Sequence, residues 1–237
     1  MKLTFNNQRI LAVVAHPDDA ELLCAGTLAR ANREDGAAIG LCVLCSGDKG
    51  QPDPPVGNLG DVRHGEMQAA AKILGAELFW VGNGDGELTD NYESRRQLVE
   101  VMRQFRATLV LAHAVNDYHP DHQAAARLAE AASWFCASAG HVTDSGPVAS
   151  PPALWWMDTI EMHDFTPGFY VDVSDYLTVK REMLLRHATQ LARGVGTDFS
   201  PLEDVMLRLA HSRGAQSGVV AAEAYRIHAA WKRTPAW

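Results

Sequence analysis

Long cationic runs, long apolar runs and abundant cysteine are all missing from this sequence. No Lys/Arg run exceeds two residues, and 29 acidic against 21 basic side chains leave a formal charge of −8. Nucleic-acid binders carry a basic footprint, so no nucleic-acid partner is expected. No apolar run approaches the roughly 18 residues needed to cross a bilayer. The opening MKLTFNNQRILAVVAH lacks a secretory signal's charged start, apolar stretch and small-residue cleavage site. A cytoplasmic protein without a membrane span is therefore expected. The four cysteines are Cys24, Cys42, Cys45 and Cys136, and a disulfide framework is not expected in such a compartment. Cys42-Val-Leu-Cys45 has metal or redox spacing, but it lies in an apolar run that reads as a buried strand, so packing is the expected role. No internal repeat, heptad or low-complexity tract is present.

What is present is an alternation. The 237 residues are 47% hydrophobic, and a chain this long can bury roughly 70–75% of its unfolded surface without staples. Residues 1–237 are expected to form a single domain. Arg9–Ala15, Ala38–Leu44, Glu77–Val81 and Thr108–Ala112 read as strands. Between and after them, helices are predicted from Asp18 to about Glu34, Gly60 to Leu74, Glu93 to Phe105, and Pro120 to about Ala139. Continuous apolar strands separated by helices of this length mark a parallel sheet covered on both faces. The fold class is thus α/β: a Rossmann-like, doubly wound, mostly parallel sheet with a smaller C-terminal α/β extension. Beyond a Gly/Ser/Pro-rich loop at Gly140–Pro152, strands are predicted at Ala153–Ile160 and Phe169–Val173. Helices follow at Thr178–Ala192 and from Pro201 to about Arg213, then a short segment at Ala221–His228. In Trp155-Trp156 one indole is expected to face inward and the other outward.

Two motifs carry the chemistry. Ala15-His16-Pro17-Asp18-Asp19-Ala20-Glu21 lies where the first strand passes into its helix, and Asn116-Asp117-Tyr118-His119-Pro120-Asp121-His122 lies at the same junction after the fourth. A lone His-Pro-Asp is an ordinary helix start. Chance from this composition yields roughly 0.03 copies, however, and the chain has two at equivalent junctions. Ligands of open α/β sheets bind beyond the carboxyl ends of strands where strand order reverses, so both motifs are expected over one crevice. Imidazole and carboxylate donors suit Zn²⁺, and a catalytic zinc site keeps three protein ligands and an open position. His16 and Asp19, with His122 from across the crevice, make that set. Asp18 and His119 then stand beside the metal: Asp18 to take a proton from activated water, His119 to stabilise an oxyanion or protonate a leaving group. Asp121 is expected to orient His119 and raise its pKa. His187, on an apolar face with Leu184 and Leu191, reads as packing or a subunit contact.

Together the two motifs resemble the LmbE-like (PIG-L) zinc-dependent de-N-acetylases, which remove acetyl groups from N-acetylglucosamine joined to various aglycones. Weaker landmarks extend the resemblance over most of the chain: Ser46-Gly47-Asp48-Lys49-Gly50, Arg63-x-x-Glu66, Asp85-Gly86-Glu87-Leu88, Tyr170-Val171-Asp172-Val173-Ser174, and Lys180 with His187-x-x-Gln190. The resemblance implies a metal-dependent amidohydrolase with Zn²⁺ on His16, Asp19 and His122, and with Asp18 as general base. His119 is implied as its acid or electrophilic partner, and Arg63 and Asp85 as contacts to sugar hydroxyls. Asp48 stands where Glu is more usual and Thr189 where Ser is more usual. A small N-acetylated sugar conjugate is the implied substrate, and a homo-oligomer the implied assembly. Some relatives are instead hydratases of unsaturated carboxylates, which is the alternative.

Overall fold

The computed structural model describes residues 4–193 and 201–230. Seven strands form one sheet in the order β3-β2-β1-β4-β5-β7-β6. Strands β1 (Arg9–Val14), β2 (Ala38–Cys45), β3 (Glu77–Asn83), β4 (Leu109–Ala112) and β5 (Ala153–Met157) run parallel. Antiparallel to its two neighbours, β7 (Ala222–Ile227) lies between β5 and β6 (Phe169–Asp172). From β1 the chain winds outward through β2 to β3, then returns to place β4 on the other side of β1. The strand order therefore reverses between β1 and β4.

Pleating divides each strand between two cores. Ile10, Ala12 and Val14 pack on one face with α2 (Ala25–Asp35), α3 (Leu59–Leu74), α6 (Leu177–Leu184) and α8 (Leu202–Ser217). Leu11, Val13 and Ala15 pack on the other with α4 (Tyr92–Phe105) and α5 (Pro120–Phe135). The two indoles fall on opposite faces as expected: Trp156 is buried in the second core, and Trp155 is half-buried, its ring packing against Phe5, Phe169 and Tyr225. The four cysteines are free and buried. Among the described residues, no helix is long and apolar enough to cross a membrane.

Two predicted helices are broken, each for a physical reason. The expected helix from Asp18 splits at Cys24 into α1 (Asp19–Leu23) and α2. Its second half starts afresh because the Glu223 carboxylate, on β7, accepts from Gly26 N (2.9 Å) and Thr27 N (2.7 Å). That carboxylate is itself buried against Lys180 Nζ. The expected helix over 178–192 stops at Leu184 and resumes only as α7 (Ala188–Leu191), with His187 turned out of helical geometry at φ −86°, ψ 60°. The C-terminal segment at 221–228 is the strand β7.

Candidate metal centre and catalytic pocket

Both His-Pro-Asp motifs sit at the carboxyl edge of the sheet at the β1/β4 switch point, where they line one cavity of about 440 Å³. The β1 motif bends sharply there. Asp18 adopts φ 105°, ψ −23°, a left-handed conformation that is costly for a residue with a Cβ. The turn is closed by His16 N donating to Asp19 Oδ2 at 2.7 Å. The β4 motif uses Pro120 at the first position of α5, and His119 caps that helix by accepting Asp121 N on Nδ1 at 3.1 Å. Proline's fixed φ suits that position.

Three side chains bring atoms of the metal-ligand type together. His16 Nδ1 lies 3.3 Å from His122 Nε2 and 3.6 Å from Asp19 Oδ2, and His122 Nε2 lies 3.5 Å from Asp19 Oδ1. Ligands about 2.0–2.2 Å from a tetrahedral zinc stand about 3.3–3.6 Å apart, so these separations suit such an ion, with His16 facing one Asp19 oxygen and His122 the other. The opposite ring edges are held by carboxylates. His16 Nε2 is 3.1 Å from Asp121 Oδ2, and His122 Nδ1 is 3.0 Å from Asp117 Oδ1. Carboxylates behind metal-binding imidazoles fix tautomer and orientation. His113 also approaches Asp19 Oδ2, at 3.2 Å, but its Nε2 accepts from Ala15 N, which occupies the lone pair a metal would need. His119 is close enough to join His16 and His122, while Cys45 stands near His16 and Asp121.

The site is strongly negative around these rings. Burial alone would lower His16, but hydrogen bonds to Asp121 and Asp19 outweigh it and lift the pKa to about 10. His122 is likewise disfavoured by burial yet raised to about 9 by Asp19 and Asp117. A site that holds protons this tightly offers the same potential to a divalent cation. Burial pushes Asp18 above the usual carboxylate range although Arg63 opposes it. Burial and the charges on His122 and His16 lower His119.

The remaining predicted residues fall at or beside the cavity, with two changes of partner. The sequence predicts Asp121 on His119, but its carboxylate turns to His16 Nε2 and to Gly86 N (2.7 Å), leaving His119 Nδ1 at 4.0 Å. The reason is α5's first turn: it points the Asp121 side chain across the crevice and presents only its backbone N–H to His119. Arg63 is expected on sugar hydroxyls, but it is only 2% exposed. It donates to Pro17 O (2.5 Å), Gly47 O (3.2 Å) and Asp18 Oδ2 (3.1 Å). Gly47 makes room for it: with φ +73°, a Cβ there would meet Arg63 Nη1 at 2.1 Å. Asp85 lines the cavity and accepts from Gly47 N and Lys49 N, which organises the Gly47–Gly50 loop. Asp48 supports the same loop by accepting from Asp85 N. Glu66 lies behind the site and binds Thr189.

Sequence reasoning assigns no role to Asp117, Gln190 or Glu21. Asp117 is visible there as the acidic residue five before His122. Gln190, which donates to Asp18 Oδ2 at 2.9 Å, is visible only as a landmark three after His187. His187 is wholly buried 3.2 Å from Glu21, so it is an internal partner and not a subunit contact.

Known proteins resemble this chain in sequence and in fold. The model of the GlcNAc-PI de-N-acetylase (PIG-L) family matches residues 11–133, just over half of the chain, and spans both motifs. Diacetylchitobiose deacetylase of Thermococcus kodakarensis is 28% identical over 205 residues, covering 83% of this chain and 76% of the relative. A 4-oxalmesaconate hydratase of Pseudomonas putida is 29% identical over 173 residues, covering 69% and 67%. Among solved structures, a conserved protein of Thermus thermophilus superposes with a TM-score of 0.81 at 29% identity, covering 94% of this chain and 95% of that one.

Proposed function

The chain belongs to the PIG-L family of de-N-acetylases, and on that premise we propose that it hydrolyses the acetamide of a small N-acetylated amino-sugar conjugate with the help of one zinc ion. The observation that carries this is the pairing of a three-donor set, His16, Asp19 and His122, with a separate buried carboxylate, Asp18, at the wall of the same cavity. His16, Asp19 and His122 would hold the metal. When bound, zinc supplies Lewis acidity, polarising a carbonyl oxygen and making water a better acid at neutral pH.

The rest is done by the chain's own groups. Asp18 takes the proton as water adds to the amide carbon. Its raised proton affinity suits a base that must later give that proton up. His119 presents Nε2 to the cavity, because Nδ1 is already occupied by Asp121 N, and is placed to stabilise the developing oxyanion. Breaking the C–N bond then sends acetate and amine apart, with the amine accepting the proton that Asp18 took from water. Asp85 and the Gly47–Gly50 loop form the wall that meets the sugar. The same donor set could serve hydration of an unsaturated carboxylate, and similarity to the hydratase keeps that as the second reading.

Acetate release from N-acetylglucosamine and its conjugates, with chelation and zinc add-back, tests the proposal. Chelator-sensitive release is expected. Asp18→Asn should lose most turnover while keeping the metal, whereas His16→Ala and His122→Ala should lose the metal itself. A metal-loaded protein that frees no acetate from any amino sugar would turn the assignment toward hydration.

A further inference from the structure

The two oxygens of Asp18 are inequivalent. Oδ2 accepts from Arg63 Nη2 at 3.1 Å and from Gln190 Nε2 at 2.9 Å. Oδ1 accepts no hydrogen bond among the described residues, and Asp18 lines the cavity. Two donors on one oxygen withdraw its lone pairs and fix the carboxylate plane, which leaves Oδ1 to face a reacting water. This matters at a residue with φ 105°, where the backbone alone would not be expected to hold one arrangement.

Gln190 rides on α7, a four-residue helix that could not persist unaided. Its anchor is Glu66: Oε1 accepts from Thr189 N at 2.8 Å and Oε2 from Thr189 Oγ1 at 2.7 Å. Glu66 is three residues beyond Arg63 on α3, a spacing that puts both side chains on one face. A single helix therefore supplies both the guanidinium that holds Asp18 directly and the carboxylate that seats the segment bearing Gln190. The amide's orientation follows from this contact, since turning Oε1 toward Asp18 would oppose two acceptors. We propose that Gln190 is a positioning residue for Asp18. Seated by Glu66 through Thr189, it acts with Arg63 to occupy Oδ2 and reserve Oδ1 for proton transfer.

This inference rests on Asp18 being the base, and its test uses variants scored against the unaltered chain. Gln190→Met keeps the length and removes the donor. It should lower kcat about 10- to 100-fold, the scale of one hydrogen bond to a charged group, with KM within about twofold and one metal per chain retained. Glu66→Gln probes the same chain of contacts from a residue that does not line the cavity. It should lower kcat by a smaller factor, again without moving KM. A crystal structure of Gln190→Met should show the Asp18 carboxylate turned about its Cβ–Cγ bond. Unchanged kcat, a rise in KM alone, loss of metal, or an unmoved carboxylate would each overturn the proposal. Absence of acetate release from the unaltered protein would instead overturn the reaction assignment, leaving the carboxylate geometry to decide this one.

Discussion

Behind His122 stands a buried carboxylate: Asp117 is 3% exposed, and its Oδ1 lies 3.0 Å from Nδ1 while also accepting from His119 N. Such a group raises the basicity of the ring and fixes Nδ1 as its donor, so that Nε2 is the nitrogen turned to a metal. Asp117→Ala is expected to weaken metal binding about 10- to 100-fold, measured by competition against a chromophoric chelator; an unchanged affinity would show that His122 needs no support. At this scale the sequence is informative about residue type and blind to direction. The two motifs place His16, Asp18, Asp19, His119 and His122 at strand ends, and strand ends meet. Whether Asp121 faces His119 or His16, and whether Arg63 faces sugar or Asp18, depends on side-chain angles in the first helical turn and on the space left by Gly47. Spacing along the chain encodes neither.

Among elements, the most consequential contact is the one that begins α2. Glu223 reaches from β7 to accept Gly26 N and Thr27 N, and Lys180 from α6 neutralises it in the interior. Breaking a buried pair leaves an uncompensated charge, so Lys180→Met should cost about 3–5 kcal/mol, read from urea unfolding. A loss below about 1 kcal/mol would mean that Glu223 can stay neutral there at little cost. A second tie joins α4 to the loop near Ser145. Burial works against the Glu100 carboxylate, but hydrogen bonds from Ser145 and Thr143 prevail and bring its pKa from 4.5 to about 2. A folded-state pKa below the ordinary value stabilises the fold above about pH 4.5, and that contribution fades as pH falls toward 2. Glu100→Gln should therefore be less stable than the unaltered chain at pH 7, with the gap narrowing between about pH 5 and pH 2. A pH-independent gap would contradict this. The sequence reveals the strands and most helices because their apolar periodicity is local. It misses the breaks at Cys24 and 185–187 because the caps that cause them lie on residues nearly 200 positions away, or in a buried His187–Glu21 contact.

In the molecule as a whole, the proposed metal donors sit on the rim of the sheet, while the apolar cores lie on its two faces. Metal-free protein is therefore expected to keep its far-UV circular dichroism. Its thermal midpoint should fall by several degrees and recover on zinc addition, as for any ligand that binds only the folded state. Collapse of the circular dichroism on chelation would show that the ion holds the fold and not just the site.

The sheet order has a further consequence, for the sequence of events in folding. Among the described residues β6 pairs only with β7, and β7 is the last of the described strands, inserted between β6 and β5. A chain emerging from the ribosome can assemble β1 to β5 as it appears. Residues 169–172, however, have no neighbour to zip onto until residues 222–227 arrive. Until then β5 presents an open edge with Trp155 and Trp156 beside it, a template for another chain. The interval before that last strand docks is therefore one in which pairing with another chain competes with folding.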